Sequence, residues 1–347
     1  MSRPRRIDWP AVAAALAGAF PRAALHPAVT AWAEHAPRRG RWAVGLSGGA
    51  DSVALLLLLW AHWPERRKRL RALHFDHRLR GAASRADARF CRGLCAALGV
   101  ELVSDEWREA PRVASEAQAR EARMAFFRRQ GRVLWLGHQQ DDIAETFFMR
   151  LARGSGTAGL AAPRPVGAQP GGRVHLRPLL TLPKAAIVDA LRRAGGVWRE
   201  DETNAGTRYL RNRLRGTVLP AWVRAAGNRD ALAGAARSRT LLEEDDSALE
   251  AWLAEIAPLT KDGTLNLRRL AGKPRGLVRR ALRLWLERVV PAAGGKGKGL
   301  SRQAVEALLD DVLRGRRTRH SVGPAGFAVI GRTRLVFSLA PSRKIAG

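Results

Sequence analysis

With 347 residues and a 46% hydrophobic share, the chain has material for two ordinary domains and a sizeable core, which excludes a disordered polymer. Its longest unbroken apolar stretch, residues 53–61, is too short to span a bilayer, and two cysteines cannot build a disulfide framework, so a cytoplasmic protein is expected. The formal charge of +30, from 61 Lys and Arg against 31 Asp and Glu, points to a polyanionic partner, nucleic acid first.

The N-terminal "MSRPRRIDWPAVAAALAGAF" sets basic residues before an apolar stretch, but Pro10 and the lack of a cleavage context argue against a signal peptide. From Arg41 to about Arg199, short apolar runs alternate with helical patterns. Residues 42–46, 70–75, 99–104 and 132–137 read as buried strands, and 51–63, 84–98, 115–130 and 139–153 as helices. This rhythm predicts an α/β fold: a parallel sheet with helices on both faces, its ligand beyond the C-terminal strand ends. After Pro220 the character changes. Residues 229–256 and 276–290 read as amphipathic helices, "AAGGKGKG" as a flexible stretch, 301–314 as a helix, and "HSVGPAGFAVIGRTRLVFSL" as a β-hairpin. We place a domain boundary there, dividing 1–220 from a smaller, mostly helical, basic domain at 221–347 with no visible catalytic constellation.

The stretch Ser47-Gly48-Gly49-Ala50-Asp51-Ser52 follows the first strand and opens a helix. Two glycines let the backbone approach a ligand, and the free N–H groups of a helix start favour an anion. A Walker loop would need a lysine before the terminal Ser, and the dinucleotide fingerprint needs three glycines at another spacing. A carboxylate at Asp51 beside phosphates repels them unless a cation intervenes, so Mg²⁺ held by oxygen ligands is implied. "FDHRLRG" ends a strand with Asp76, His77 and Arg80 at the same rim. In "SEAQAREARMAFF", Arg120 and Arg123 either clamp a phosphate or pair with Glu116 or Glu121. In "LGHQQDDIAETFF", His138, Asp142 and Glu145 are spaced to share one helix face, with Asp141 read as structural and Glu145 as solvated in the plainer reading.

Together with "RGSGTAGLAAPRP", "RPLL" and "WREDETNAGTRYLRNRLR", these segments resemble the tRNA(Ile)-lysidine synthase family, a branch of the pyrophosphate-loop ATP pyrophosphatases, from about residue 41 to 220. The resemblance implies an adenine nucleotide alpha hydrolase-like, Rossmann-like catalytic domain. It implies a ligase that uses ATP to adenylate C2 of the wobble cytidine in CAU-anticodon tRNA(Ile). Free L-lysine then displaces AMP to give lysidine. Ser47, Gly48, Gly49, Asp51 and Ser52, with Asp76 and His77, are assigned to ATP. Asp51, Arg120, His138 and Asp142 are assigned to catalysis, Asp51 and Asp142 to the metal, and His138 or Asp142 to the base. Asn204, Arg211, Asn212 and Arg215 match the segment closing the catalytic domain. With the sequence ending at Gly347, we expect no counterpart of the third domain of longer members, leaving the basic region after Pro220 to grip the tRNA. No membrane partner is expected, and self-association stays open. Two alternatives are kept: a tRNA thiolation enzyme, against which Cys91 and Cys95 read as buried core thiols, and a catalytically dead RNA-binding homologue, against which Asp51 and Asp142 are both present.

Overall fold

The computed structural model describes residues 7–37, 39–78, 81–111, 114–200, 209–292 and 302–339. The chain forms two compact units, Met1–Glu243 and Glu244–Gly347.

In the first unit, helices α1 (Trp9–Ala19) and α2 (Pro27–His35) precede the alternating series β1 (Trp42–Gly45), α3 (Ala50–His62), β2 (Leu70–Asp76), α4 (Ala82–Leu98), β3 (Glu101–Glu106), α5 (Glu116–Gln130), β4 (Val133–Trp135) and α6 (Gln140–Leu151). A short helix α7 (Thr157–Leu160), strands β5 (Val166–Gln169) and β6 (Arg173–Leu176), and helix α8 (Lys184–Arg193) follow. Helix α9 (Leu210–Arg213) runs through a π turn into α10 (Leu219–Ala225), and α11 (Ala231–Ile256) closes the unit and opens the next. The four expected strands and four expected helices all form, their ends displaced by two residues or fewer.

The sheet order is β3-β2-β1-β4-β6-β5, with every neighbouring pair parallel except β5 and β6. The expected parallel sheet therefore carries one antiparallel edge strand, because the polar, glycine-rich "VGAQPGGRVHL" holds no apolar run to announce it. Side chains alternate across the sheet. Trp42, Val44, Ala72 and Trp135 enter a core with α1, α3, α4 and α8, while Ala43, Leu73 and Leu134 meet Phe126 and Phe127 of α5 on the other face. Helix α3 has apolar residues all round and is accordingly interior: residues 53 to 59 are each 1% exposed or less. Each fully buried leucine there contributes roughly 1.5–3 kcal/mol.

This topology creates the crevice. The chain steps outward from β1 to β2 to β3, then returns to the other side of β1 with β4. The loops leaving β1 and β4 diverge at that switch point, where open α/β sheets take their ligands. They pass very close. A Cβ added at Gly137 would lie 2.8 Å from the Asp51 carbonyl oxygen and 3.2 Å from the Ser52 nitrogen, backbone that cannot swing aside.

The second unit holds the end of α11, β7 (Leu265–Asn266), α12 (Arg275–Ala292), α13 (Arg302–Leu313), β8 (Arg319–Ser321), β9 (Gly326–Ile330) and β10 (Arg334–Leu339). The expected hairpin is β9–β10, extended into an antiparallel sheet of order β7-β10-β9-β8. Leu277, Ala281, Leu282 and Trp285 of α12 pack with Leu308, Leu309, Ala328 and Leu335 in its core. Some of its positive charge is neutralised internally: Arg279 meets Glu306 at 2.7 Å, Arg275 meets Asp310 at 2.6 Å, and Arg280 pairs with the buried Asp246. No helix among the described residues is long and apolar enough to cross a membrane.

The Gly137 approach predicts that Gly137→Ala destabilises the protein by about 1–3 kcal/mol through overpacking of backbone on backbone. Urea denaturation checks this, and an unchanged midpoint would show that the two loops have room to separate.

Candidate active site

Helix α3 begins at Ala50 with Gly49 at its N-cap and no side chain capping it, so its first N–H groups are left for a ligand. The preceding turn is shaped from within. The Ser47 N–H donates to Ser52 Oγ at 3.1 Å, the two hydroxyls lie 3.0 Å apart, and Ser52 Oγ donates to the Gly49 carbonyl at 2.9 Å. Gly48 has φ +93°, which only glycine takes without strain, while a Cβ there would just touch Arg199 Cγ at 3.4 Å. The backbone of Arg199 crosses over this turn, its N–H donating to the Gly48 carbonyl at 2.9 Å while its guanidinium holds Asp87 at 2.9 Å. The five residues expected in this loop are thus brought together, and Arg199 and Asp87 join them unannounced.

Asp51 carries an unsatisfied oxygen in the site. Its Oδ1 is buried with no hydrogen-bond partner among the described residues. Burial pushes its carboxyl up to about 6, against the pull of Lys184 and with added repulsion from Asp142. A hard carboxylate oxygen held bare beside an anion seat fits Mg²⁺, which characteristically takes one or two protein carboxylates and completes its shell with phosphate and water. Asp142 fits less well as a second ligand, because both its oxygens are engaged. One accepts the Gln139 N–H at 3.0 Å, which caps α6, and the other pairs with Arg211. Among the described residues no group of three His, Cys, Asp or Glu converges on a metal position.

The expected face of His138, Asp142 and Glu145 needs correction in two respects. His138 lies ahead of α6, before the Gln139 N-cap, and makes its bond elsewhere: Arg177 Nε–H donates to its Nδ1 at 3.0 Å. Its pKa is held well below the ordinary histidine range by burial and by Arg177, Arg211, Arg120 and Arg123, so the ring is neutral at physiological pH. Glu145 is 0% exposed rather than solvated. It takes Arg211 Nε at 2.5 Å and Arg215 Nε at 2.6 Å, so Asp142, Glu145, Arg211 and Arg215 form one buried ion cluster joining α6 to the segment through α9. Burial pulls the Arg211 guanidinium down, but Asp142 and Glu145 together outweigh it and raise it above even its usual pKa. Asp141 is structural, its Oδ2 accepting the Lys184 N–H at 3.0 Å where α8 begins.

Arg120 and Arg123 pair with neither Glu116 nor Glu121 among the described residues; Glu121 takes Arg128 at 2.5 Å instead. Burial and neighbouring cations lower both arginines, Arg123 to about 10. Arg177 is likewise lowered to about 10. The pocket therefore collects cations that form no ion pair with a carboxylate among the described residues, an arrangement suited to a polyanion. Asp76 and His77 stand at the C-terminal end of β2, next to β1. Asp76 Oδ1 closes a turn by accepting the Arg78 N–H at 2.7 Å, and the His77 ring packs edge-on against Phe75. Arg80 and Asn204 lie outside the described residues. Cys91 and Cys95 are buried, both thiols pushed up to about 12 by burial, and are inert.

Comparison with known proteins identifies the family. The family model described as a PP-loop domain matches residues 25–222. The tRNA(Ile)-lysidine synthase of Solibacter usitatus is 46% identical over 186 residues, covering 52% of this chain and 40% of that protein. That of Geobacter sulfurreducens is 38% identical over 272 residues, 72% of this chain and 56% of that protein. That of Hyphomonas neptunium is 36% identical over 288 residues, 78% of this chain and 75% of that protein. The chain thus spans about half the length of the first two of these relatives.

Two predictions follow from the site's charges. Asp51→Asn removes a carboxylate that burial disfavours, so at pH 7 the variant is more stable than the wild type by about 1–3 kcal/mol while losing the charged oxygen. The folded pKa is raised, so the wild-type penalty is full above about 6 and absent below the unfolded value of about 3.8; the difference in melting temperature must vanish across that window. Glu145→Ala removes the buried carboxylate that the half-buried Arg211 and Arg215 share, leaves them Asp142 alone, and costs about 2–3 kcal/mol in urea denaturation.

Proposed function

Because the chain belongs to the tRNA(Ile)-lysidine synthase family of PP-loop proteins, we propose that it joins L-lysine to C2 of the wobble cytidine in CAU-anticodon tRNA(Ile), consuming ATP and releasing AMP and pyrophosphate. The observation that carries this reading is the pairing of two opposite deficits at one crevice. Among the described residues, Asp51 has a buried oxygen without a hydrogen-bond partner, and Arg120, Arg123 and Arg177 form no ion pair with a carboxylate. A magnesium–nucleotide complex answers both.

In this reading residues 47–49 and the N-terminus of α3 hold the polyphosphate, with Asp76 and His77 at the neighbouring strand end beside the nucleoside. Asp51 would hold Mg²⁺, which when bound neutralises phosphate charge and polarises the phosphoryl oxygens. Arg120 and Arg123 stabilise the negative charge that grows at the α-phosphate as the C2 oxygen attacks and pyrophosphate leaves. Preorganised guanidinium groups in a half-buried site do this without reorganising, which is why their uncompensated repulsion is tolerated in the free protein. The lysine ε-amine has a pKa of about 10.4 in water and must shed a proton before it attacks C2 and expels AMP. His138 is neutral but its Nδ1 is already an acceptor for Arg177, so Asp142 is the better candidate to receive that proton, after Arg211 moves off it.

The charge of +30 suits a tRNA substrate. On the second unit, Arg283, Arg288, Arg314 and Arg317 are exposed and pair with no carboxylate among the described residues, and we assign them to the phosphate backbone of the tRNA. The region 221–347 is in this reading the tRNA-contacting part. Two free, buried cysteines suit a reducing compartment, and we place the reaction in the cytoplasm. The same inert thiols leave the thiolation alternative without a sulfur carrier in this chain.

The test is incorporation of labelled lysine into a CAU-anticodon tRNA(Ile) transcript. Incorporation should require ATP and disappear when the wobble cytidine is changed. Absent incorporation while added RNA still stimulates ATP cleavage would keep the adenylation and reject lysine as the nucleophile.

A further inference from the structure

We propose that Arg177 is a positioning residue that fixes His138 as a neutral imidazole with its proton on Nε2, so that His138 serves the site as a hydrogen-bond donor and not as a base. The Nε–H of Arg177 donates to His138 Nδ1 at 3.0 Å. A guanidinium has donors and no acceptor, so Nδ1 must present its lone pair. A neutral imidazole whose Nδ1 accepts carries its proton on Nε2. No group among the described residues bonds Nε2, which leaves that N–H for a ligand.

The fold builds this pair deliberately. His138 follows β4 and Arg177 follows β6, and these strands run parallel in a register that sets Trp135 beside Leu176. The Leu136 N–H continues the ladder by donating to the Leu176 carbonyl at 2.9 Å, so both residues leave the sheet at its C-terminal end. Arg177 is then immobilised. Its Nη1 donates to the Arg164 carbonyl at 2.7 Å and its own N–H to the Pro165 carbonyl at 2.9 Å. Gly167 makes room for it, since a Cβ there would lie 3.3 Å from Nη1. The side chain is only 8% exposed, yet among the described residues it meets no carboxylate. Burying a guanidinium without a counter-charge is costly, and structure alone gains little from aiming it at a ring nitrogen. Aiming it at His138 makes sense as a way of choosing the tautomer.

The tautomer itself stands on geometry alone; its use in catalysis rests on the lysidine-forming reading above. With Nε2–H directed to an anionic oxygen, His138 joins Arg120 and Arg123 as a third donor that carries no net charge. It therefore adds a hydrogen bond without adding to the repulsion among the arginines.

The experiment is long-range ¹H–¹⁵N spectroscopy of the full chain labelled in its histidine rings, with His138→Gln identifying the His138 signals among the eight histidines. The expected spectrum shows an acceptor Nδ1 and a protonated Nε2, unchanged between about pH 6 and about pH 8. In Arg177→Met the ring should populate both tautomers or titrate near its ordinary value of about 6.5. Arg177→Lys restores one donor and should recover part of the Nε2–H population. In lysine incorporation, Arg177→Met should lower kcat by about 10- to 100-fold, as loss of an orienting partner does, with KM for ATP changed by less than about 3-fold. A proton on Nδ1 in the wild type overturns the proposal, as does a folded Arg177→Met that keeps the wild-type tautomer. Should Arg177→Met fail to fold, the wild-type spectrum and Arg177→Lys decide the matter. A wild type with the expected tautomer but no lysine incorporation would reject the functional reading and leave the orienting pair standing.

Discussion

Arg211 and Arg215 reach across the first unit to the wholly buried Glu145, and Arg211 also grips Asp142. This exchange fixes what remains at the crevice. Two carboxylates that might have paired with the nearby arginines are already taken, so among the described residues Arg120, Arg123 and Arg177 are left without an ion pair. Asp51, in contrast, is reached by no guanidinium bond among the described residues and keeps a bare oxygen. The cluster therefore separates the site's charges into a cationic wall and a lone anion.

Such separation costs stability, and the costs lie where a ligand would remove them. A carboxyl raised to about 6 is a group that folding has made less comfortable as an anion, and a divalent cation reverses that. Arginines drawn down by burial and mutual repulsion are relieved by phosphate oxygens in the same way. The buried ion cluster differs in kind. Its members answer one another, so it organises the site and is not itself awaiting a ligand, unless Arg211 is moved to free Asp142.

The sheet was legible because its strands are buried on both faces and so appear as short apolar runs, each followed by a helical pattern. The turn at residues 47–52 was legible because everything that shapes it is local: Ser47 bonds Ser52 five residues away, and Gly48 needs its positive φ for a single peptide. What escaped notice is long-range or negative. Glu145 reads as a solvated residue on a helix until Arg211 and Arg215 are placed against it, 66 and 70 residues later in the chain. Gly137 matters for the atom it lacks, and only the packing of two loops shows why. Strand β5 is short, polar and at the sheet edge, where burial on two faces no longer writes an apolar run. The helical spacing of His138 with Asp142 does not apply, since His138 precedes the Gln139 cap and α6 begins at Gln140.

That cap has a chemical consequence. Were His138 on the helix beside Asp142, the carboxylate would raise its pKa and make it a proton carrier near neutrality. Ahead of the helix it meets Arg177 and the other arginines instead, which press it toward the neutral form. A bound polyanion would ease that pressure and, by proximity alone, draw the ring back toward protonation. The bond from Arg177 opposes this directly, because Nδ1 cannot take up a proton while it accepts from a guanidinium. The ring is thereby held neutral in both the empty and the anion-filled site, and its one N–H keeps the same direction through a change in local charge that would otherwise flip or protonate it.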